Sequence, residues 1–212
     1  MSRRDVTYVY IDGFNLYYGC LKGTPHKWLN VSKFIRLTLK NFDIVKIRYF
    51  TAKVSARDHD PEQPLRQQQY LKAIATLADV EVTYGHFLQK PVFMPLASNP
   101  REQVQVIKTE EKGSDVNLAV NLVNDAHLGR FATAVVVSND SDLASAITIV
   151  RGLGKTVGFI PPHRGQRRPS AHLKMVSSFT RPIRPGVLQV SQFPETLHDT
   201  AVGIIRCPPS WR

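Results

Sequence analysis

The stretch FATAVVVSNDSDLASAITIVRGLGKTVGFIPP (Phe131–Pro162) decides the fold. FATAVVVS is a short, uninterrupted β-branched run, as a strand buried on both faces requires. SDLASAITIVRGLG follows at helical spacing and closes on Gly152 or Gly154, residues suited to a helix C-terminus. KTVGFIPP is strand-like again and is stopped by two prolines. A strand, a helix and a second strand in succession predict an α/β layer with a mainly parallel sheet.

Working outward, the same alternation recurs. VTYVYI (Val6–Ile11) is another buried strand. VSKFIRLTLKNF places Val31, Phe34, Ile35, Leu37 and Leu39 near helical spacing, with Asn30 or Ser32 available as a cap. IVKIRYFTAKV (Ile44–Val54) reads as a second strand. After it, ARDHDPEQPLRQQQYLKAIATL reads as a proline-bearing loop entering a helix, with Leu65, Tyr70, Leu71, Ile74 and Leu77 on its apolar face. VEVTYGHF (Val80–Phe87) alternates as a third strand. Residues 88–109 contain Pro91, Pro95 and Pro100 and read as an irregular loop, at most with a small hairpin ending in VQVIKT. SDVNLAVNLVNDAHL predicts a helix capped by Ser114, with Val116, Ala119, Val120 and Val123 as its inward stripe. Beyond Pro162 come a basic loop (HRGQRRPS), a short helix (AHLKMVSSF) and an irregular, proline-bearing tail.

The expected fold is α/β, in three layers, with helices on both faces of a central, mainly parallel sheet. Residues 1–162 form that domain, and residues 163–212 form a basic C-terminal extension packing on it or trailing from it.

Composition bounds the function. The chain has 212 residues, 28 Lys+Arg against 17 Asp+Glu, and a net charge of +11. That excess suits a polyanion such as nucleic acid, because neutralising phosphates releases counterions. It is uneven: the last 50 residues hold 8 basic and 2 acidic side chains, so over half of it sits in the C-terminal extension. Cys20 and Cys207 are the only cysteines, too few and too far apart for a disulfide framework or a zinc site. The apolar run near the N-terminus breaks at Asp12, which argues against a signal peptide, and no run approaches the length of a membrane span. The expected location is cytoplasmic.

In a parallel α/β sheet all strand C-termini share one edge, and ligands bind there. Asp12 directly follows VTYVYI. Asp140 and Asp142 directly follow FATAVVVS, and Asp115 opens the SDVNLAV helix. Each has a plain structural use: an Asx-turn for Asp12, a helix cap for Asp140, helix first turns for Asp115 and Asp142. Together they repel one another unless something compensates. Mg²⁺ compensates directly, taking one or two carboxylates and filling the rest of its shell with water and phosphate oxygens. An acidic, metal-competent pocket in a basic protein predicts nuclease chemistry.

YIDGFNLYYG, EEKGSDVNLAVNLVNDA, VVVSNDSDLASAITIVRGLGKTVGFIPP and the intervening VEVTYGHF, in this order from Tyr8 to Pro162, resemble the NYN domain family, PIN-like ribonucleases whose bacterial branch includes the LabA-like proteins. SAHLKMVSSFTRPIR and SQFPETLHD resemble the C-terminal continuation of some members. The resemblance implies a three-layer PIN-like (Rossmannoid) fold, with a carboxylate cluster that binds Mg²⁺ or Mn²⁺. Carried across, Asp12 is the acid of the first strand and Asn15 its polar partner. Asp115 is the acid of the Lys-Gly-x-Asp motif, and Asp140 and Asp142 are the pair after the fourth strand. SND stands where many members have Ser-Gly-Asp; Asn139, like glycine, tolerates left-handed backbone.

These readings assign Asp12, Asp115 and Asp140 as metal ligands, and Asp142 as a ligand or a positioner of the attacking water. Asn15 stands behind the ligands, and Ser138 hydrogen-bonds there or to substrate. Lys112, Arg164, Arg167 and Arg168 are phosphate contacts. Phe14, Tyr17 and Tyr18 belong to the core more readily than to a base-stacking surface. The expected reaction is hydrolysis of RNA phosphodiester bonds, with single-stranded RNA as partner, no membrane, and homodimerisation left open. A non-catalytic nucleic-acid-binding or regulatory module is the alternative. A Mg²⁺-dependent phosphotransferase ranks third, because YIDGFN lacks the second aspartate that an aspartyl nucleophile needs.

Overall fold

The computed structural model describes residues 5–163 and 168–212. In chain order, β1 (Val6–Asp12) leads into a short α1 (Gly13–Leu16) and a π-helical turn (Tyr17–Leu21). α2 (Val31–Thr38), β2 (Asp43–Thr51), α3 (Gln63–Ala75) and β3 (Val80–Tyr84) follow. Next come β4 (His86–Pro95), β5 (Gln103–Lys112), α4 (Ser114–His127) and β6 (Thr133–Val137). A 3₁₀ turn (Ser141–Leu143) opens α5 (Ala144–Gly152), which is followed by β7 (Thr156–Ile160), α6 (Ala171–Val176), β8 (Phe179–Thr180) and α7 (Pro185–Val190). β9 (Thr196–Asp199) and β10 (Gly203–Arg206) form a small hairpin near the C-terminus.

The main sheet has six strands in the order β3-β2-β1-β6-β7-β8, and every neighbouring pair is parallel. Both faces are buried, which explains the unbroken apolar strands of the sequence. Along β1 and β6, Val9, Ile11, Val135 and Val137 pack with α2, α3 and the C-terminal segment. Tyr10, Ala134 and Val136 pack on the opposite face with Leu118, Leu122 and Ile147 of α4 and α5. The result is the expected three-layer α/β sandwich.

Three local readings need correction. Residues 88–109 are not an irregular loop: β4 and β5 pair antiparallel over their full length, from His86↔Lys112 to Pro95↔Gln103. A two-stranded ribbon leaves half of its N–H groups facing outward, so prolines are tolerated there as on any edge. Of the expected inward stripe of α4, Ala119 and Val123 pack against the core, but Val116 and Val120 are about 60% exposed (59% and 60%), and the buried positions are Ser114, Leu118, Leu122, Asp125 and Ala126. The helix is turned by its one buried acid, whose partners lie beneath it. Its N-cap is Gly113 (φ +91°), and Ser114 instead donates its N–H to Glu111 Oε1 at 3.0 Å.

That buried acid, Asp125, is fully enclosed and holds a charged network together. Tyr10 Oη donates to its Oδ2 at 2.8 Å, Arg48 Nε lies 2.8 Å from the same oxygen, and Arg130 Nη1 donates to Oδ1 at 2.7 Å. Arg48 also donates to Glu81 at 2.9 Å, and Lys46 pairs with Glu81 at 3.0 Å.

The C-terminal segment is not a loose tail. β8 joins the main sheet, and Phe193 and Trp211 are buried against Trp28 and Tyr70, with Trp28 Nε1 donating to the Pro194 carbonyl at 2.8 Å. The π-helical turn packs on the chain leaving β7. A Cβ on Gly19 would stand 2.0 Å from the Pro162 carbonyl oxygen. Gly19→Ala should therefore cost about 1–3 kcal/mol of stability by overpacking, measured by denaturant unfolding; an unchanged midpoint would show that the turn shifts freely.

Candidate metal centre

β1 and β6 are the central strands, and the sheet grows from them in opposite directions. The crevice beyond their carboxyl ends is the switch point at which α/β sheets bind ligands. Asp12 ends β1 and is 6% exposed. Its Oδ1 accepts the Asn15 N–H at 2.9 Å, so it caps α1, and its Oδ2 accepts from Asn15 Nδ2 at 2.6 Å and from the Ser138 hydroxyl at 3.1 Å. Ser138, fully buried just after β6, also accepts the Asp140 N–H at 3.1 Å. Asn15 Oδ1 accepts the Asn139 N–H at 3.2 Å. The turns after the two strands are thus stitched together through side chains, and the Asp12 and Asp140 carboxylates are brought into one crevice.

The electrostatics follow from that placement. Burial, the largest influence, pushes the Asp12 carboxyl above its ordinary pKa. Hydrogen bonds from Asn15 and Ser138 pull it back, and the Asp140 charge pushes it up again. The pocket is short of positive charge, and a bound cation would supply it.

Asp140 Oδ1 accepts the Asp142 N–H at 3.1 Å, and its Oδ2 accepts from no described residue. Asp142 is exposed two residues further on. Asp115 is partly exposed at the start of α4, with Oδ1 turned onto the Val116 N–H at 2.8 Å. Among the described residues, no three Asp, Glu, His or Cys side chains are grouped tightly enough to hold a metal ion. The four expected acids therefore do not form a closed cage: Asp12 and Asp140 are coupled, while Asp115 and Asp142 are committed to the backbone or to solvent. Two carboxylates with room for water still match the donor set of Mg²⁺ or Mn²⁺.

Lys112, at the end of β5, is engaged by Glu110 at 3.1 Å. Lys108, first, and Lys112 hold the Glu110 carboxyl down at about 2. Arg168 is exposed, and its carbonyl accepts from Asn139 Nδ2 at 3.4 Å, which ties residue 168 to the turn after β6. Arg164 and Arg167 lie outside the described residues. Tyr17 packs against the core while partly buried, Phe14 is partly buried, and Tyr18 is 42% exposed, so the last two line a surface.

Two residues escaped the sequence reading. Asn139 has no left-handed backbone, since no described non-glycine residue has a positive φ. It serves by hydrogen bonding, accepting the Ser170 N–H at 2.7 Å as well as reaching Arg168 and Asn15. Its place between Ser138 and Asp140 was the available signal. Tyr49 reaches the crevice from β2 and was hidden inside a run that reads as plain strand.

Comparison with known proteins bears on these features. The chain is 33% identical over 224 aligned positions to HspA of Pseudomonas putida (strain DSM 28022 / S16), named 6-hydroxy-3-succinoylpyridine 3-monooxygenase, across 90% of this chain and 71% of that protein. A crystal structure of a protein of unknown function from Vibrio parahaemolyticus RIMD 2210633 matches with a TM-score of 0.56 at 15% identity, covering 87% of this chain and 96% of that one, a likeness of fold alone. The NYN domain model matches residues 6–180, from the start of β1 to the end of β8 and so past the expected boundary at residue 162. With the parallel sheet, the crevice and the family model in agreement, the chain belongs to the NYN domain family and has its PIN-like, nuclease-type α/β fold.

Proposed function

We propose that the protein is a metal-dependent ribonuclease that hydrolyses phosphodiester bonds of single-stranded RNA. One observation carries the reading: two carboxylates from the ends of adjacent central strands, Asp12 and Asp140, share a crevice that Asn15 and Ser138 hold in place. Asp12 and Asp140 would hold Mg²⁺ or Mn²⁺, with Asp142 and Asp115 reaching it through water. That ion, when bound, supplies the charge that activates water and stabilises the leaving oxygen. The chain's own residues do the positioning. Asn15 and Ser138 keep the Asp12 carboxylate in one orientation, and Asp142 would accept a proton from the attacking water. Arg168, Arg164, Arg167 and Lys112 supply positive charge for the strand's phosphates. The net charge of +11 draws in the strand.

The test is cleavage of labelled single-stranded RNA in Mg²⁺ or Mn²⁺. Wild type should cut, and Asp12→Asn and Asp140→Asn should each slow cleavage by about 100-fold or more, the scale on which removing a group that stabilises transition-state charge is felt. Equal rates in all three would remove the assignment. RNA bound but uncut by wild type would leave the non-catalytic binding module.

A second reading is favoured by the relative's name together with an aromatic cavity beside Asp12: the substrate would be a small substituted hydroxypyridine. Turnover of such a ring by a protein that leaves RNA uncut would favour it.

A further inference from the structure

A cavity of about 60 Å³ opens directly beside the Asp12 crevice, walled by Phe14, Tyr17, Tyr18, Tyr49, Tyr70 and Trp211. A water needs ~15 Å³ of such space, so the cavity holds about four waters or one flat ring. Six aromatic side chains around one small space exceed what packing requires, because a core would have filled it.

Most of the polar groups nearby are already engaged. Gln67 accepts the Val54 N–H and donates to the Ala52 carbonyl, both at 2.9 Å. Arg66 is held by Asp60 at 2.6 Å, Lys27 by the Ser210 carbonyl at 3.0 Å, and Tyr70 Oη donates to the Leu29 carbonyl at 2.9 Å. The hydroxyls of Tyr17, Tyr18, Thr51 and Tyr49 are not engaged by any described residue, and Tyr49 is the most buried of these phenols. It is 5% exposed, yet its hydroxyl has no hydrogen-bond partner among the described residues. Its ring lies against the backbone of residue 13, where a Cβ would stand 2.8 Å from the hydroxyl, so glycine follows Asp12 for steric reasons. Burial keeps this phenol protonated and hence a donor. An unmet donor open to an aromatic slot suits a flat ligand with an acceptor on its edge.

We infer that this cavity binds one planar heteroaromatic ring, a nucleobase of the strand held at Asp12 and Asp140, stacked on the aromatic walls with its edge carbonyl or ring nitrogen accepting from Tyr49. The inference rests on the ribonuclease reading for the identity of the ring, and the site would give that activity a base preference next to the scissile phosphate. Stacking on aromatic side chains tolerates many bases, whereas the buried Tyr49 donor selects for an edge acceptor.

Tryptophan fluorescence reads it, because Trp211 is one of the cavity walls and Trp28, the other of the two tryptophans, lies 6.4 Å from it. Uridine 5′-monophosphate should change the emission saturably, and ribose 5-phosphate should not. Tyr49→Phe, which removes only the hydroxyl, should weaken binding about fivefold. Tyr18→Ala, at an exposed position, should weaken it roughly tenfold through lost stacking. An equal response to ribose 5-phosphate, or unchanged affinity in both variants, overturns the inference. 2-Hydroxypyridine, a ring without sugar or phosphate, separates the sources: tighter binding than the nucleotide gives the cavity to a free ring and overturns the nucleobase assignment. The two proposals fail separately. Nucleotide binding without RNA cleavage supports the cavity and removes the nuclease; cleavage without ring binding does the reverse.

Discussion

Asp125→Ala is expected to lower the unfolding free energy by about 3–5 kcal/mol, seen as a lower denaturant midpoint at unchanged slope. The carboxylate is fully buried and answers three donors: Tyr10, Arg48 and Arg130. Removing it leaves the Arg48 guanidinium, whose side chain is 10% exposed, with only Glu81. Glu81 is a poor substitute, because its side chain is 44% exposed and solvent screens the pair. The Tyr10 hydroxyl loses its acceptor inside the core. Most of the cost is thus a stranded charge and not a missing attraction, which separates this network from a surface ion pair. The discriminating variant is the double replacement Arg48→Met with Asp125→Leu. It removes the stranded charge and should recover most of the lost stability. A loss below about 1 kcal/mol in the single variant would mean that water reaches the network.

The same network shows why some of the fold could be read in the sequence and some could not. The parallel α/β class followed from local patterns: VTYVYI, FATAVVVS and KTVGFIPP are short apolar runs spaced by helices, and parallel strands buried on both faces require that. The acids of the crevice were legible for the same reason, since strand direction alone puts Asp12 and Asp140 on one edge. The face of α4 was legible only in part: Ala119 and Val123 do pack inward, but Val116 and Val120 do not. Periodicity assumes that charges point outward, and Asp125 reverses that rule through Arg48, 77 residues away. Residues 88–109 were misread because their prolines break a central strand but not a free ribbon. Tyr49 was invisible because a strand-like aromatic gives no hint that its hydroxyl will end beside a glycine at the end of another strand. Local physics was legible, and long-range pairing of polar groups was not.

A divalent cation should stabilise the wild-type protein and fail to stabilise Asp12→Asn. In EDTA, the raised pKa of Asp12 means that the native state holds its proton more tightly than the unfolded chain, whose carboxyl titrates at about 3.9. The associated stability is present at acid pH and is lost as pH rises from that value through the raised native one. At neutral pH the ionised Asp12 therefore opposes folding, with Asp140 adding to the strain. A cation that binds only the folded crevice reverses the sign. At 100 times its dissociation constant it adds about 2.7 kcal/mol, seen as a rise in Tm that grows with pH. Asp12→Asn keeps an oxygen to cap α1, but its amide NH₂ then faces Asn15 Nδ2 and the Ser138 hydroxyl, which both donate to Oδ2 in the wild type. In EDTA at neutral pH the relieved charge and these lost bonds oppose each other, so the variant should stay close to wild type while showing no Tm rise with Mg²⁺ or Mn²⁺. Asp140→Asn should lose most of the same rise, because it removes the second carboxylate without disturbing the Asn15 bonds to Asp12. If Asp12→Asn were less stable than wild type in EDTA yet gained as much from the cation, Asp12 would be a structural cap and the ion would bind elsewhere.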